Sequence, residues 1–363
     1  MITKLLKRNG AIALAAGFAM TALLPSAASA QENIKLTFIT GFPIFSTFVS
    51  AFVEGYAPAV DAALAKTGNY KIEWNMAHSG QIVKPRGELE GVELGLGDIG
   101  DVTTPFHLDR VPLYRLAYVT PFTTKDPALL TAVHKTLQNK FPQFDQSWRV
   151  LNQLQVGMTA VVDNYLLISS TPMKKLSDIK GKKIGAAGPN LPWVTPIGAA
   201  GVQADLVTAY NSLSTGIYSG MIIWMQVSGA FKLCEPAPFA LDAGLGAASI
   251  HSLNFNLDKW NSLPDEVKQA LTGAGGAWNK MQIDRLVGGT AAMRQRCEKD
   301  FGMQYTRMDP QERLKWAKSM PNLAKQWAKE MNDKGLPGTQ ILSLYMDEMR
   351  AAKQPLARHW DRE

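Results

Sequence analysis

The chain has 363 residues, 46% of them hydrophobic and 19% charged, with a formal net charge of +7 and two cysteines. That length is enough for two domains, and the composition excludes a disordered or fibrous chain. Lys4, Lys7 and Arg8 fall in the first thirty positions with no acidic residue, so +7 less three leaves +4 beyond them, which gives no case for a nucleic-acid partner.

Those three residues form the positive start of a secretory signal, Ala11 to Leu24 its apolar core, and Ala28-Ser29-Ala30 its cleavage motif. The apolar run is short for a membrane anchor, and no lipidation cysteine follows it. The expectation is an exported protein, cleaved after Ala30 and free in a periplasm. An oxidising compartment permits a disulfide between Cys234 and Cys297. Sequence cannot bring their Cα atoms within bonding distance, so that bridge and two buried thiols both stay open.

Ile34 to Thr40 alternates like a strand, Phe48 to Leu64 is an amphipathic helix, and Tyr70 to Met76 is a second strand. The opening is therefore β-α-β, an α/β start. A helix over Arg86 to Leu94 leads into Gly95-Leu96-Gly97-Asp98-Ile99-Gly100, a literal G-x-G-x-x-G. The dinucleotide reading fails, because that fingerprint follows a strand and opens a helix, and here the order is reversed. A helix follows Asp126-Pro127. Strands are expected over Val150 to Leu154 and Ala160 to Ser169. Lys174 to Gly188 reads as a helical turn, a tight turn at Gly181 that takes positive φ, and a strand from Ile184 into Ala186-Ala187-Gly188. A strand ending in a glycine-rich mouth is where open α/β sheets place ligands. Val194 to Ala204 and Ala209 to Leu213 are expected to be helical, and Ser252 to Leu257 a strand. Ser262 is a candidate cap for a helix running from Pro264 to about Lys299, with Asp265 and Glu266 suited to its positive end. At 1.5 Å per residue it would span roughly 50 Å, and Gly273, Gly275, Gly276, Gly288 and Gly289 invite a kink. The last third is helical and rich in tryptophan, ending in a polar tail.

Leu176, Asp178, Gly181, Lys183 and Ile184 closely resemble a signature of the solute-binding proteins of tripartite ATP-independent periplasmic (TRAP) transporters, of the C4-dicarboxylate type. Further fragments resemble the same family in order: His78 to Leu89, Gly97 to Asp98, Val119 to Phe122, Tyr210 with Leu213 and Gly216, Ala230 to Glu235, and Trp260 to Val267. The resemblance implies a two-lobe α/β periplasmic binding protein of type II-like architecture, with a hinged cleft and one long helix bracing both lobes. It implies lobe I from residues 31–158 and 247–284, lobe II from 159–246 and 285–349, and a tail over 350–363. Closure over a small organic acid would be a population shift driven by contacts to both lobes.

Carried over by position, the ligand-binding residues would be Phe42, Lys84, Thr103 and Thr104 from lobe I. Lobe II would offer Tyr165, Gly185, Asn190, Trp193, Ile223 and Trp224. Gly185 stands where the family has its carboxylate-clamping arginine. Tyr165 stands where many members have another basic residue, and Ile223 where they have an asparagine. An arginine fork gives bidentate recognition of a carboxylate, and an unpaired buried charge is costly. The ligand expected here is therefore a monoacid with an apolar or aromatic body. The carboxylate would use backbone N–H groups near Gly188 to Asn190, hydroxyls of Thr103, Thr104 and Tyr165, or Lys84. Trp193 and Trp224 suit core packing as well as pocket lining, and Lys84 suits a solvated loop.

His78, His107, His134, His251 and His359 form no local metal-ligand pair, and no G-x-S-x-G elbow is present. The reading is a non-enzymatic receptor without cofactors, a monomer that passes its ligand to a membrane permease. A binding protein of an ABC importer or sensor, and a periplasmic enzyme on a two-lobe scaffold, are the alternatives.

Overall fold

Ile34, Leu36 and Phe38 are buried and alternate with exposed Lys35 and half-buried Thr37, and that period of two makes Glu32–Ile39 the strand β1. In the computed structural model, which describes residues 31–363, β1 pairs in parallel with β2 (Tyr70–Ala77) and with β3 (Ile99–Thr103). The signal-peptide reading of residues 1–30 lies outside the described residues. The crossover from β1 to β2 is helical from Thr47 to Leu64, with a π-helical turn over Phe52–Tyr56. Its apolar stripe of Phe48, Phe52, Tyr56 and Val60 is buried. The sheet is completed by β4 (Gln153–Ala160) and by β10 (Ile250–Asn256), which runs antiparallel between β3 and β4, giving the order β2-β1-β3-β10-β4.

The second sheet holds β5 (Tyr165–Ser169), β6 (Lys183–Ala186), β7 (Ala200–Gln203), β8 (Gly220–Trp224), β9 (Phe239–Asp242) and β11 (Gln304–Arg307), in the order β11-β9-β5-β8-β6-β7. The chain leaves the first sheet after β4 and returns to it at β10, so the two lobes are interleaved in sequence. The crossings are pinned to one another. Val161 N–H donates to Ser249 O at 3.0 Å, and Tyr165 N–H to Gly246 O at 3.1 Å. Gly246 has φ +99°, and a Cβ there would meet the Thr124 carbonyl.

The third link is one helix, Asp265–Phe301, of 37 residues. Trp278 Nε1–H donates to Phe48 O at 3.0 Å and Asn279 to Met158 O at 3.0 Å, fixing its first half on the first sheet's lobe. Its second half packs on the helix Met225–Ala230 of the other lobe. Cys297, near its end, is bridged to Cys234 with a Cα–Cα distance of 5.7 Å. The glycines do not break this helix. Gly275 lies where a side chain would strike the Val156 carbonyl, so there the missing Cβ permits close backbone approach.

Other expectations shift. Pro264 itself is the residue before the long helix, while Ser262 ends a separate short helix, Leu257–Ser262, and its hydroxyl donates to Lys259 O. Val150 is exposed in a turn closed by Asn152 at φ +53°, so the strand starts only at Gln153. Asp163 and Asn164 lie between β4 and β5, which splits the run over Ala160 to Ser169. Val194 to Ala204 is not one helix. The helix Leu191–Val194 and a 3-10 turn end at Gly198, φ +81°, and β7 follows. The polar tail packs back: Trp360 is buried with its Nε1–H on Pro121 O at 2.9 Å, and Arg358 donates to Met320 O at 2.7 Å. Gly181 does take positive φ, +77°.

Candidate ligand-binding site

The ends of β3 and β10 on one side, and of β5, β6 and β8 on the other, face each other across a cavity of about 80 Å³. β3 delivers Thr103, whose backbone leaves strand geometry to enter the 3-10 turn Thr104–Phe106, and Phe106 closes that side. Phe42 and Phe48 pack edge to face at 5.2 Å and line the same wall. Behind them sits Glu88, fully buried, accepting from Gly41 N–H and Arg86 N–H at 2.9 Å each. Burial pushes its carboxyl up to about 7, with Asp101 adding to the rise. Glu88 thus holds both the Phe42 loop and the Arg86 loop in place.

The opposite wall is Tyr165, Asn190, Ile222, Ile223 and Trp224, with Tyr165 and Trp224 edge to face at 5.9 Å. The Tyr165 hydroxyl is taken by the Tyr118 hydroxyl at 3.1 Å. Trp193 is wholly buried beneath this pair, 5.4 Å from the Tyr165 ring, and its Nε1–H donates to Tyr118 O at 2.8 Å. It joins the lobes below the cavity and does not line it.

The polar groups in this apolar cage are few, and several are unsatisfied. Thr103 Oγ1, both amide atoms of Asn190 and Trp224 Nε1 are buried without a hydrogen-bond partner. Buried polar atoms are nearly always paired, so such orphans in one cavity point to ligand contacts. Among the described residues no lysine or arginine lines it. His251 does, opposite Thr103 on the β3–β10 ladder. Its Nδ1–H donates to the buried Asp101 carboxylate at 3.0 and 3.2 Å, and its ring lies 4.6 Å from that of Phe48.

Of the residues expected from sequence, Phe42, Thr103, Tyr165, Asn190, Ile223 and Trp224 meet at the cavity. Thr104 stands outside it, fully buried, with its hydroxyl spent on Ile250 O at 2.7 Å. Lys84 is exposed, its Nζ 3.5 Å from Gly80 O. Gly185 also stands outside. A Cβ there would lie 3.0 Å from ring atoms of Tyr218, which is buried in the lobe's outer cluster. A side chain at this position, beside Met221 of the cavity lining, would have to displace the Tyr218 ring. Phe48, Tyr118, Asp101 and His251 were not legible as site residues. Phe48 reads as one position of a helix stripe, and Asp101 and His251 are 150 residues apart. Arg86 stands at the mouth, φ +78°, with its guanidinium 4.2 Å from the Phe106 ring centroid. Among the described residues no cluster of three or more metal-ligating side chains occurs.

Comparison with known proteins fits this geometry. Residues 54–330 match the family model described as DctP, bacterial extracellular solute-binding protein, family 7. Three solved structures share the fold. A marine metagenome TRAP solute-binding protein specific for aromatic acid ligands, in complex with 3-hydroxybenzoate, is 19% identical with a TM-score of 0.75, covering 88% of this chain and 99% of that one. A TRAP solute-binding protein from Rhodoferax ferrireducens, in complex with copurified benzoate, is 16% identical with a TM-score of 0.75, covering 88% and 98%. A Bordetella pertussis extracytoplasmic solute receptor binding pyroglutamic acid is 16% identical with a TM-score of 0.75, covering 86% and 100%. This chain therefore belongs to bacterial extracellular solute-binding protein family 7, the DctP family, and has the two-lobe fold of TRAP transporter solute-binding proteins.

Proposed function

We propose that the protein is the periplasmic receptor of a TRAP-type transporter, capturing a small organic monoacid with an apolar, aromatic or branched body and passing it to the membrane permease. The observation that carries this reading is the cavity itself: aromatic walls from both lobes, orphaned Thr103, Asn190 and Trp224, and, among the described residues, no lysine or arginine in its lining. A flat apolar body suits the edge-to-face aromatic walls. A single carboxylate needs one set of partners, whereas a dicarboxylate brings a second charge that would stay unpaired. Solved proteins of the same fold hold benzoate, 3-hydroxybenzoate, pyroglutamate and glucuronate, which supports a small organic acid as the ligand.

The test is a thermal-shift panel on the mature protein with aliphatic dicarboxylates, aromatic and branched monoacids, hydroxy acids and neutral polyols. A ligand at 100 times its Kd should stabilise by about 2.7 kcal/mol. The expected result is the largest shift with a monoacid. Succinate or malate giving the largest shift, with aromatic and branched monoacids giving none, would overturn the reading.

A further inference from the structure

We propose that His251, oriented by Asp101, is the carboxylate anchor of this site, and that the protein takes up one proton when it binds its acid. The inference rests on the monoacid reading and names the group that stands in for the absent arginine. His251 lies on β10 directly opposite Thr103, so its ring and the orphaned Thr103 hydroxyl share one face of the sheet at the cavity wall. Nδ1–H is committed to Asp101, two residues before Thr103 on the same face of β3. That bond fixes the tautomer and leaves Nε2 as the nitrogen available to a ligand. The Phe48 ring at 4.6 Å holds the imidazole plane. Trp224 and Asn190 supply orphaned groups from the other lobe, so a carboxylate between them and His251 would touch both lobes, as closure requires.

The charge argument favours the protonated ring. Among the described residues no lysine or arginine lines the cage around such an anion. His251 is, among the same residues, the only lining side chain that can become a cation, and Asp101 is placed beside it. The groups around it are Asp101 on β3, Glu88 behind Asp101, and Thr159 opposite it on β4. Tyr118 and Tyr165 lie across the cavity, and Arg86 and Asp205 at its mouth. The proton comes from solvent and ends on Nε2, which then donates to the ligand carboxylate. No bond other than N–H is made.

The experiment is calorimetric titration of the mature protein with benzoate, 3-hydroxybenzoate, pyroglutamate and isovalerate between pH 5.5 and 8.5, in buffers of differing ionisation enthalpy. The expected result is uptake of about one proton per acid bound at pH 8, and affinity falling with rising pH by as much as tenfold per unit. His251→Gln keeps a donor without the charge and should flatten the profile. Should His251→Gln fail to fold, the imidazole carbon-bound proton resonances of wild-type protein at pH 8 should report a protonated ring only with acid bound. If none of the four acids binds at any pH, the monoacid reading falls and this inference with it. If one binds with no proton uptake, or His251→Gln binds it with an unchanged pH profile, the receptor reading stands and the His251 anchor falls.

Discussion

The two walls of the cleft are built from the same kind of element, strand ends, and are opposite in character. The wall on β3 and β10 carries Asp101, Thr103 and His251 over a buried Glu88. The wall on β5, β6 and β8 is Tyr165, Ile222, Ile223 and Trp224, with Asn190 as its main polar group. In the family resemblance the charged clamp belongs to the second wall, at position 185. Here that position is a glycine packed against the Tyr218 ring beside Met221 of the cavity lining, and the Asp101–His251 pair stands on the first wall. On the proposed reading, a carboxylate site follows the lobe that can keep a polar group oriented. It is not set by one motif position.

Three perturbations break or sharpen this contrast. The largest effect is expected from Gly185→Arg. The new side chain meets the Tyr218 ring in a packed cluster, and overpacking with an unpaired charge should cost about 3–5 kcal/mol. Adding Tyr218→Ala should return part of that loss and let the guanidinium reach the cleft, turning the second wall cationic. Urea midpoints for the two variants check this, and equal stability of Gly185→Arg and wild type would remove Tyr218 as the reason for the glycine.

The next effect concerns the first wall's buried acid. Glu88 holds its proton up to about 7 in the fold, against an ordinary 4.5. The folded state therefore binds the proton more tightly than the unfolded chain. The stability this gives is complete below 4.5 and is lost as pH rises through 7, about 3 kcal/mol in all. His134 works in the opposite sense on the same lobe. Burial lowers it to about 4, so its contribution is lost as pH falls from 6.5 towards 4. The stability difference between wild type and Glu88→Gln isolates the first term. It should shift against wild type between pH 4.5 and 7.5, and a flat difference would show that burial does not hold the Glu88 proton.

The smallest effect is the most selective. Thr103→Val replaces an orphaned hydroxyl with a methyl of the same shape. Stability should hold or rise slightly, while acid affinity falls about tenfold, on the order of 1.4 kcal/mol. Melting and binding measured on one preparation separate the two. A loss of stability with unchanged affinity would show that the Thr103 hydroxyl packs and does not bind.

Much of the fold was legible because its signals are local. Period-two alternation marked β1 and β2, a helical stripe marked Phe48 to Val60, and Gly181 marked a positive-φ turn. Pro264, Asp265 and Glu266 placed the start of the long helix to within a residue. The misread stretches are those where propensity and tertiary pairing disagree. Ala200–Gln203 is a strand because β6 offers it a partner, whatever its own helical preference. The glycines in the long helix lower its intrinsic propensity, yet it is unbroken because Trp278 and Asn279 tie it to lobe I and Gly275 lets it approach Val156.

The same division applies to the site. Sequence by itself determined the fold class and the family, and it determined that no arginine is available at position 185, since residue identity in an ordered set of local motifs carries all three. The tertiary structure alone decided what the absence means. Only the paired strands bring Tyr218 over Gly185, turn Thr104 to a backbone carbonyl and bury Trp193 below the cavity. Only the β3–β10 ladder sets His251 against Asp101 across 150 residues of chain. The physical reason is range: propensity, capping and turn preference act over a few residues, whereas hydrogen-bond satisfaction and charge pairing depend on neighbours that folding supplies.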